Sequence, residues 1–350
     1  MRLGRIFIFT FTLLALFFHV AGLPEANSKK PIVKIKMASL APDGLGWAVF
    51  IKDNVGKAIK EETGGDVILD LYLGGVMGDD EDYIMKMRID QLQGAGFSTS
   101  GAIMACPEIS VFALPFIVND FDEVDYIRSR MKDRLIRIFE EKGFRMWFLA
   151  DQAFDIVFST KREVRTPEDF AKSRFVTWVG SAEHETLKAL GNSPIPMNVP
   201  EIPSSVRSGI LDALLAPPIW YVGTQLYTVT KYVTPTNLRY SPGAILITKK
   251  TWDKIPQEYH EKINEIVERN YHLFNEYGHY SNRKCLKAMV KYGLKEVKLT
   301  PDEIDLLKKK TRPVWDKLAG KLYPRDMLDE VLDHLRQYRS QKVSKLPPLE

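Results

Sequence analysis

The stretch Leu190-Gly191-Asn192-Ser193-Pro194-Ile195-Pro196-Met197 is where the reading of this chain is decided. Ala182 to Leu190, just before it, reads as a helix, and Gly191 sits where a helix C-terminus favours a left-handed residue. Further upstream, Phe175 to Trp178 reads as a strand. Thr166-Pro167-Glu168-Asp169 is a helix start, with Thr166 as N-cap and Pro167 at the first helical position. Downstream, Pro203 to Ile210 reads as a short helix and Leu211 to Ala216 as a strand. Alternation of strand and helix is the pattern of an α/β sheet.

The N-terminal half has the same style. Val33-Lys34-Ile35-Lys36-Met37 alternates apolar and charged residues, which predicts a strand. Trp47, Phe50, Ile51, Val55 and Ile59 recur at helical spacing, and Gly64-Gly65 stops that helix. Val67 to Leu73 is apolar enough for a buried strand, Asp80 to Leu92 reads as a helix, and Gly94 to Phe97 as a short strand. In such sheets ligands sit beyond the carboxyl ends of the strands. That makes Ser39 to Asp43 and Ser98 to Gly101 candidate site loops. Phe144 to Ala150 and Phe154 to Ser159 read as two strands. Gly243 to Thr248 reads as a strand returning to the first lobe. Glu258 to Leu294 is a long helical region, bent near Gly278, and Thr300-Pro301-Asp302-Glu303 is a capping box for the next helix. The chain is therefore expected to cross between two α/β lobes more than once. Lobe I takes residues 30–152 and 240–280, and lobe II takes 153–239 and 281–350.

Residues 1–26 have the layout of a secretory signal peptide: Arg2 and Arg5, an apolar run from Ile6 to Val20, then small residues. Cleavage fits after Gly22 or after Ala26. The expected location is the periplasm. The formal net charge of +4 loses Arg2 and Arg5 with the leader. The remainder is too close to neutral to suggest a nucleic-acid partner or an acidic membrane surface. Export would permit a disulfide between Cys106 and Cys285, and two buried thiols are the other reading. Enzyme signatures are missing: there is no GxSxG, P-loop or GxGxxG motif. His184-Glu185 lacks the second histidine of HExxH, because Lys188 stands there. Asp79-Asp80-Glu81-Asp82 reads as acidic residues opening a helix, where they favour its dipole, rather than as a calcium cluster. No cofactor, metal or catalytic residue is expected.

Taken in order, Thr166-Pro167-Glu168-Asp169-Phe170, Leu190 to Met197, Ser208-Gly209-Ile210-Leu211-Asp212 and Lys231-Tyr232-Val233-Thr234-Pro235 resemble the extracytoplasmic solute-binding proteins of TRAP transporters. Leu114-Pro115-Phe116-Ile117-Val118 and Trp252-Asp253-Lys254-Ile255-Pro256 extend the resemblance over nearly the whole chain after the leader. It implies a two-lobed periplasmic binding protein fold, with hinge-crossing strands and a long C-terminal helix. It also implies a receptor that delivers a small solute to TRAP membrane permease subunits, and no enzyme. Family members most often bind organic acids, and some relatives with apolar clefts work beside a helical-repeat periplasmic protein.

The chain departs from the family where the ligand is usually held. The arginine that forks onto a carboxylate falls, counting back from Leu190-Gly191, on Val176. Arg174 lies two residues away, about 6–7 Å along the strand. The polar trio of the family's next strand is replaced by Leu214, Leu215 and Ala216, followed by Pro217-Pro218-Ile219-Trp220. A cleft without its guanidinium holds a buried carboxylate poorly. The expected ligand is therefore hydrophobic or weakly polar. The other readings are a slipped register that hides the true arginine, and a vestigial cleft on a partner-binding protein. The candidate ligand-binding residues are Ser39, Trp47, Phe97, Ser98, Thr99, Phe116, Gln152, Arg174, Val176, Trp178, Leu215, Ala216, Pro217 and Trp220.

Overall fold

Alternating burial along Val33 to Met37 sets up the first strand, with Val33, Ile35 and Met37 inside and Lys34 and Lys36 outside. In the computed structural model, which describes residues 30–44, 46–177 and 182–344, this is β1 (Val33–Ser39). The leader and Trp178 lie outside the described residues. The other strands are β2 (Val67–Tyr72), β3 (Gly94–Phe97), β4 (Phe144–Ser159), β5 (Val176–Thr177), β6 (Ile195–Pro196), β7 (Ala213–Ala216), β8 (Tyr232–Thr248) and β9 (Lys295–Glu296).

One seven-stranded sheet runs β2-β1-β3-β8-β4-β7, with β9 added to β8, while β5 and β6 pair separately. β1 is parallel to β2 and β3, and the β3–β8, β8–β4 and β4–β7 pairs are antiparallel. β4 and β8 form the common backbone of two half-sheets. Ala244 to Ile247 of β8 pair with β3, whereas Ile156 to Ser159 of β4 pair with β7. These are the hinge-crossing strands of a two-lobed fold. Helices pack around them, and the long one is His260–Tyr292.

Three details differ from the sequence reading. The two strands expected over 144–159 are one, because the polar Asp151-Gln152 step is absorbed in a bulge between Asp151 and Phe154. Ala153 there has φ +92°, held by its N–H bond to Asp151 Oδ1 at 2.9 Å. β8 starts at Tyr232, before the expected Gly243, and carries Pro235 and Pro242. Pro242 stands opposite Asp151 at the edge of the bulge, where a missing N–H disturbs the ladder least. Finally, Ser98 to Gly101 is not a loop. Ser98 caps the helix Thr99–Ala105, accepting from Ser100 N at 3.2 Å. The long helix runs unbroken through Gly278, where a Cβ would stand 3.2 Å from the Asp151 carbonyl oxygen. Cys106 and Cys285 are free thiols, and burial pushes both pKa values up.

Candidate functional site

A cavity of about 270 Å³ opens at the β4 bulge, where the two half-sheets meet. One wall is the end of β1 and the loop after it (Ser39 to Pro42), with Trp47, Gly96 and Ser98. The opposite wall is Val199, Pro200, Pro203, Pro217, Ile219 and Trp220. Asp151 and Gln152 of the bulge and Phe274, Tyr277, Gly278 and Asn282 of the long helix close the back. The wall is mostly apolar, and no arginine or lysine contributes to it among the described residues.

Glycine shapes this space. Gly96 is on the cavity face of β3, and a Cβ there would meet Trp47 Cη2 at 2.2 Å, so its absence lets the edge of the indole come close to the strand. The long helix contributes one of its faces at helical spacing, 274, 277, 278 and 282.

The polar side chains of the wall are largely committed to the protein. Ser39 Oγ donates to Gly96 O at 3.0 Å and accepts from Ala41 N at 3.1 Å. Thr224 Oγ1 donates to Trp220 O at 3.0 Å. Asn282 accepts from Ile219 N at 3.0 Å and donates to Gly278 O at 2.9 Å. The fully buried Asp151 carboxylate is bonded to His279 Nε2 and faces Arg128 Nη2 at 3.7 Å. His279 in turn stacks on Phe121 with ring centroids 3.6 Å apart. Two groups keep spare capacity. Gln152 makes only long bonds, both 3.4 Å, to Phe97 O and from Thr99 Oγ1. The Tyr277 hydroxyl has no partner among the described residues.

Ser98 gives its hydroxyl to Asp80, which also accepts from Gly101 N at 3.1 Å. Asp80 is wholly buried, and burial raises its pKa to about 7. A carboxyl whose folded pKa exceeds its unfolded one stabilises most below the unfolded value, and that stability is lost as pH rises through the folded value. Unfolding free energy should therefore fall between about pH 4 and pH 7. In Asp80→Asn that step should be missing from a denaturant–pH series.

Of the expected site residues, Ser39, Trp47, Ser98, Gln152, Pro217 and Trp220 are brought together on the wall. Phe97 is not there, because strand alternation turns it to the opposite face from Gly96, into the core. Thr99 stands behind Gln152 as its donor. Phe116 packs on a core cluster with Leu215, and its N–H bonds Leu238 O. Val176 and Ala216 are fully buried in a neighbouring cluster. Arg174 is half-exposed away from the cavity. Its Nε bonds Asp212 at 3.1 Å and its Nη2 bonds Gly209 O at 2.6 Å. The sequence reading missed the Val199–Pro203 wall and the long-helix residues. Gly278 within a helix was the one signal that marked the latter.

Residues 50–321 match the family described as bacterial extracellular solute-binding protein, family 7 (DctP), and the chain belongs to that family. It is 24% identical over 317 residues to the C4-dicarboxylate-binding periplasmic protein DctP of Rhodobacter capsulatus, covering 89% of this chain and 92% of that one. Among solved structures, it resembles the sugar acid binding protein DctPAm of Advenella mimigardefordensis in complex with galactonate. That match has a TM-score of 0.82 and 19% identity, over 88% of this chain and 99% of that one. It also resembles a TRAP periplasmic solute-binding protein of Shewanella oneidensis with bound succinate, at a TM-score of 0.81 and 16% identity, over 87% and 100%. The chain is thus a TRAP-type solute-binding receptor whose partners are a small-molecule solute and a membrane permease. Among the described residues no helix is long and apolar enough to cross a membrane.

Proposed function

We propose that this receptor captures a hydrophobic or weakly polar, uncharged solute in the cavity at the β4 bulge and delivers it to its permease. The observation that carries the reading is the wall itself: among the described residues it has no guanidinium or ammonium, and most of its polar groups are already bonded to the protein, with Gln152 and Tyr277 keeping spare capacity for a weakly polar solute. A carboxylate entering such a wall would be buried unpaired, at a cost of several kcal/mol. Apolar surface pressed on Trp47, Trp220, Phe274 and the prolines instead gains roughly 25 cal/mol per Å². The position where the family carries its arginine is taken as Val176, which is fully buried in an apolar cluster.

In this reading the lobes are residues 30–152 with 240–280 and residues 153–239 with 281–350, and residues 1–26 are a cleaved export signal. The receptor has no catalytic step of its own. A helical-repeat periplasmic protein is a further partner, by resemblance to relatives with apolar clefts.

Native mass spectrometry of the protein purified from the periplasm, repeated after organic extraction, tests the proposal. A neutral apolar molecule at one per chain is expected. Relatives are named for binding dicarboxylates, sugar acids and ectoine, and a small organic acid bound at one per chain would overturn it. Arg174→Ala supplies a second check. Arg174 is half-exposed, and the buried Asp212 keeps Lys161 at 3.6 Å and the backbone N–H of residue 174, so about 1 kcal/mol of stability or less should go and solute affinity should not change. A collapse of binding in that variant would show that Arg174 holds the ligand.

A further inference from the structure

The outward face of the long helix His260–Tyr292 has a structure of its own. Leu273, Tyr277, Tyr280, Lys284, Lys287 and Lys291 are all exposed. Their spacing alternates four and three residues. At 100° per residue they lie within about 40° of one line along the helix. Asn275, Asn282 and Met289, by contrast, are on the buried side. The line is about 27 Å long at 1.5 Å per residue. Its first half is apolar and aromatic, with Leu273, Tyr277 and Tyr280 at 55%, 43% and 57% exposure. Its second half is basic, and Arg283 adds a fourth cation beside it.

Two features separate this stripe from an ordinary solvated face. None of Arg283, Lys284, Lys287 and Lys291 has a carboxylate partner among the described residues, although ion pairs are plentiful elsewhere on this surface. Glu276 is the only carboxylate in the sequence from 272 to 292. The stripe is also continuous with the binding site, because Tyr277 belongs both to it and to the cavity wall.

We propose that this stripe is the docking surface for the membrane permease, and that it receives an acidic helical segment on the permease's outer face. The positions repeat every seven residues (273, 280, 287 and 277, 284, 291), which is the repeat of a seam that accepts a second helix. Lysines without a carboxylate partner along half of it, one of them (Lys284) lying over the Tyr280 ring at 5.8 Å, select a partner carrying Asp or Glu there. Leu273 and Tyr280 supply the apolar anchor of a hot spot, ringed by charge. A bare lipid surface is the less suitable occupant. A helix that lies on a membrane buries its main apolar face in the lipid, and here that face is already inside the protein. Docking at Tyr277 would also bring the permease to the lip of the cavity from which the solute must leave.

The test compares the parent with Lys284→Glu/Lys287→Glu/Lys291→Glu, Lys284→Arg/Lys287→Arg/Lys291→Arg and Tyr280→Ala. None of these residues lines the cavity. Binding is measured to vesicles of zwitterionic lipid carrying the cognate permease, and to protein-free vesicles containing phosphatidylglycerol. Solute affinity is measured separately in solution. Charge reversal is expected to weaken permease binding at least tenfold and Tyr280→Ala severalfold. The arginine variant should bind as the parent does, with solute affinity unchanged throughout. The parent's permease binding should also weaken with added salt. Undiminished permease binding by the charge-reversed protein would overturn the proposal. So would lysine-dependent binding to phosphatidylglycerol vesicles with none to the permease. A parent that docks normally but holds an organic acid would leave this surface standing and overturn the solute assignment alone.

Discussion

Arg239→Leu should cost about 3–5 kcal/mol of unfolding free energy at neutral pH, enough to threaten folding. Arg239 of β8 stands opposite Asp155 of β4 in the ladder and is hydrogen-bonded to its carboxylate. It also lies 3.6 Å from Glu183, at the start of the helix Ala182–Ala189. All three side chains are almost wholly inside the protein. Removing the cation leaves two buried carboxylates facing each other across the space it filled. The deficit should shrink as pH falls, because the carboxylates escape by taking up protons. Replacing Asp155 by leucine in the same chain should recover part of the loss, since a buried pair exchanged for apolar groups costs far less than half of a pair left alone. Urea unfolding at two pH values checks both statements. A single variant as stable as the parent would mean that water reaches the site.

The second large effect is expected from one methyl group. In Gly96→Ala the added Cβ would lie 2.2 Å from Trp47 Cη2 and 2.7 Å from Cζ3, so the indole must leave its place on β3. Overpacking of this kind costs about 1–3 kcal/mol. The displaced ring also loses its position in the cavity wall, and solute affinity should fall at least tenfold. Gly96→Ala/Trp47→Leu removes the clash. It should regain stability in a thermal melt without regaining affinity in a titration. Recovery of both would mean that Trp47 contributes no ligand contact.

Much of the fold was legible because the local signals agree with the final packing. Gly64 and Gly65 end their helix with φ of +58° and +84°, as a glycine pair in that place predicts. Thr166 and Thr300 open their helices with capping boxes. Legibility failed where long-range pairing overrode local preference. Asp151-Gln152 reads as a break between strands, and Pro235 and Pro242 read as barriers to one. Pairing between β4 and β8 along their length carries both strands through these interruptions. The site was legible to the same degree. Trp47 and Trp220 were named as candidate ligand contacts, and both reach the cavity. Phe97 was named too and went to the core, because a sequence does not state which side of a strand faces the cleft, and Phe116 sits in a turn with φ +54° that packs it on a core cluster instead. Arg174 was kept in view as a cation near the right place. Asp212 claims it, and that contact joins residues 38 positions apart with no local signature.

The bulge in β4 has a mechanical consequence. Asp151 and Gln152 are at once the place where the ladder of the shared double strand is interrupted and part of the cavity wall. Where pivot and pocket are separate, stiffness and affinity can be adjusted by separate substitutions. Here one short segment serves as both spring and sensor. A substitution that alters how easily the segment flexes changes the fraction of molecules ready to bind, and the apparent Kd moves with that fraction. Selection for tighter capture in this chain is therefore also selection on how readily it lets go.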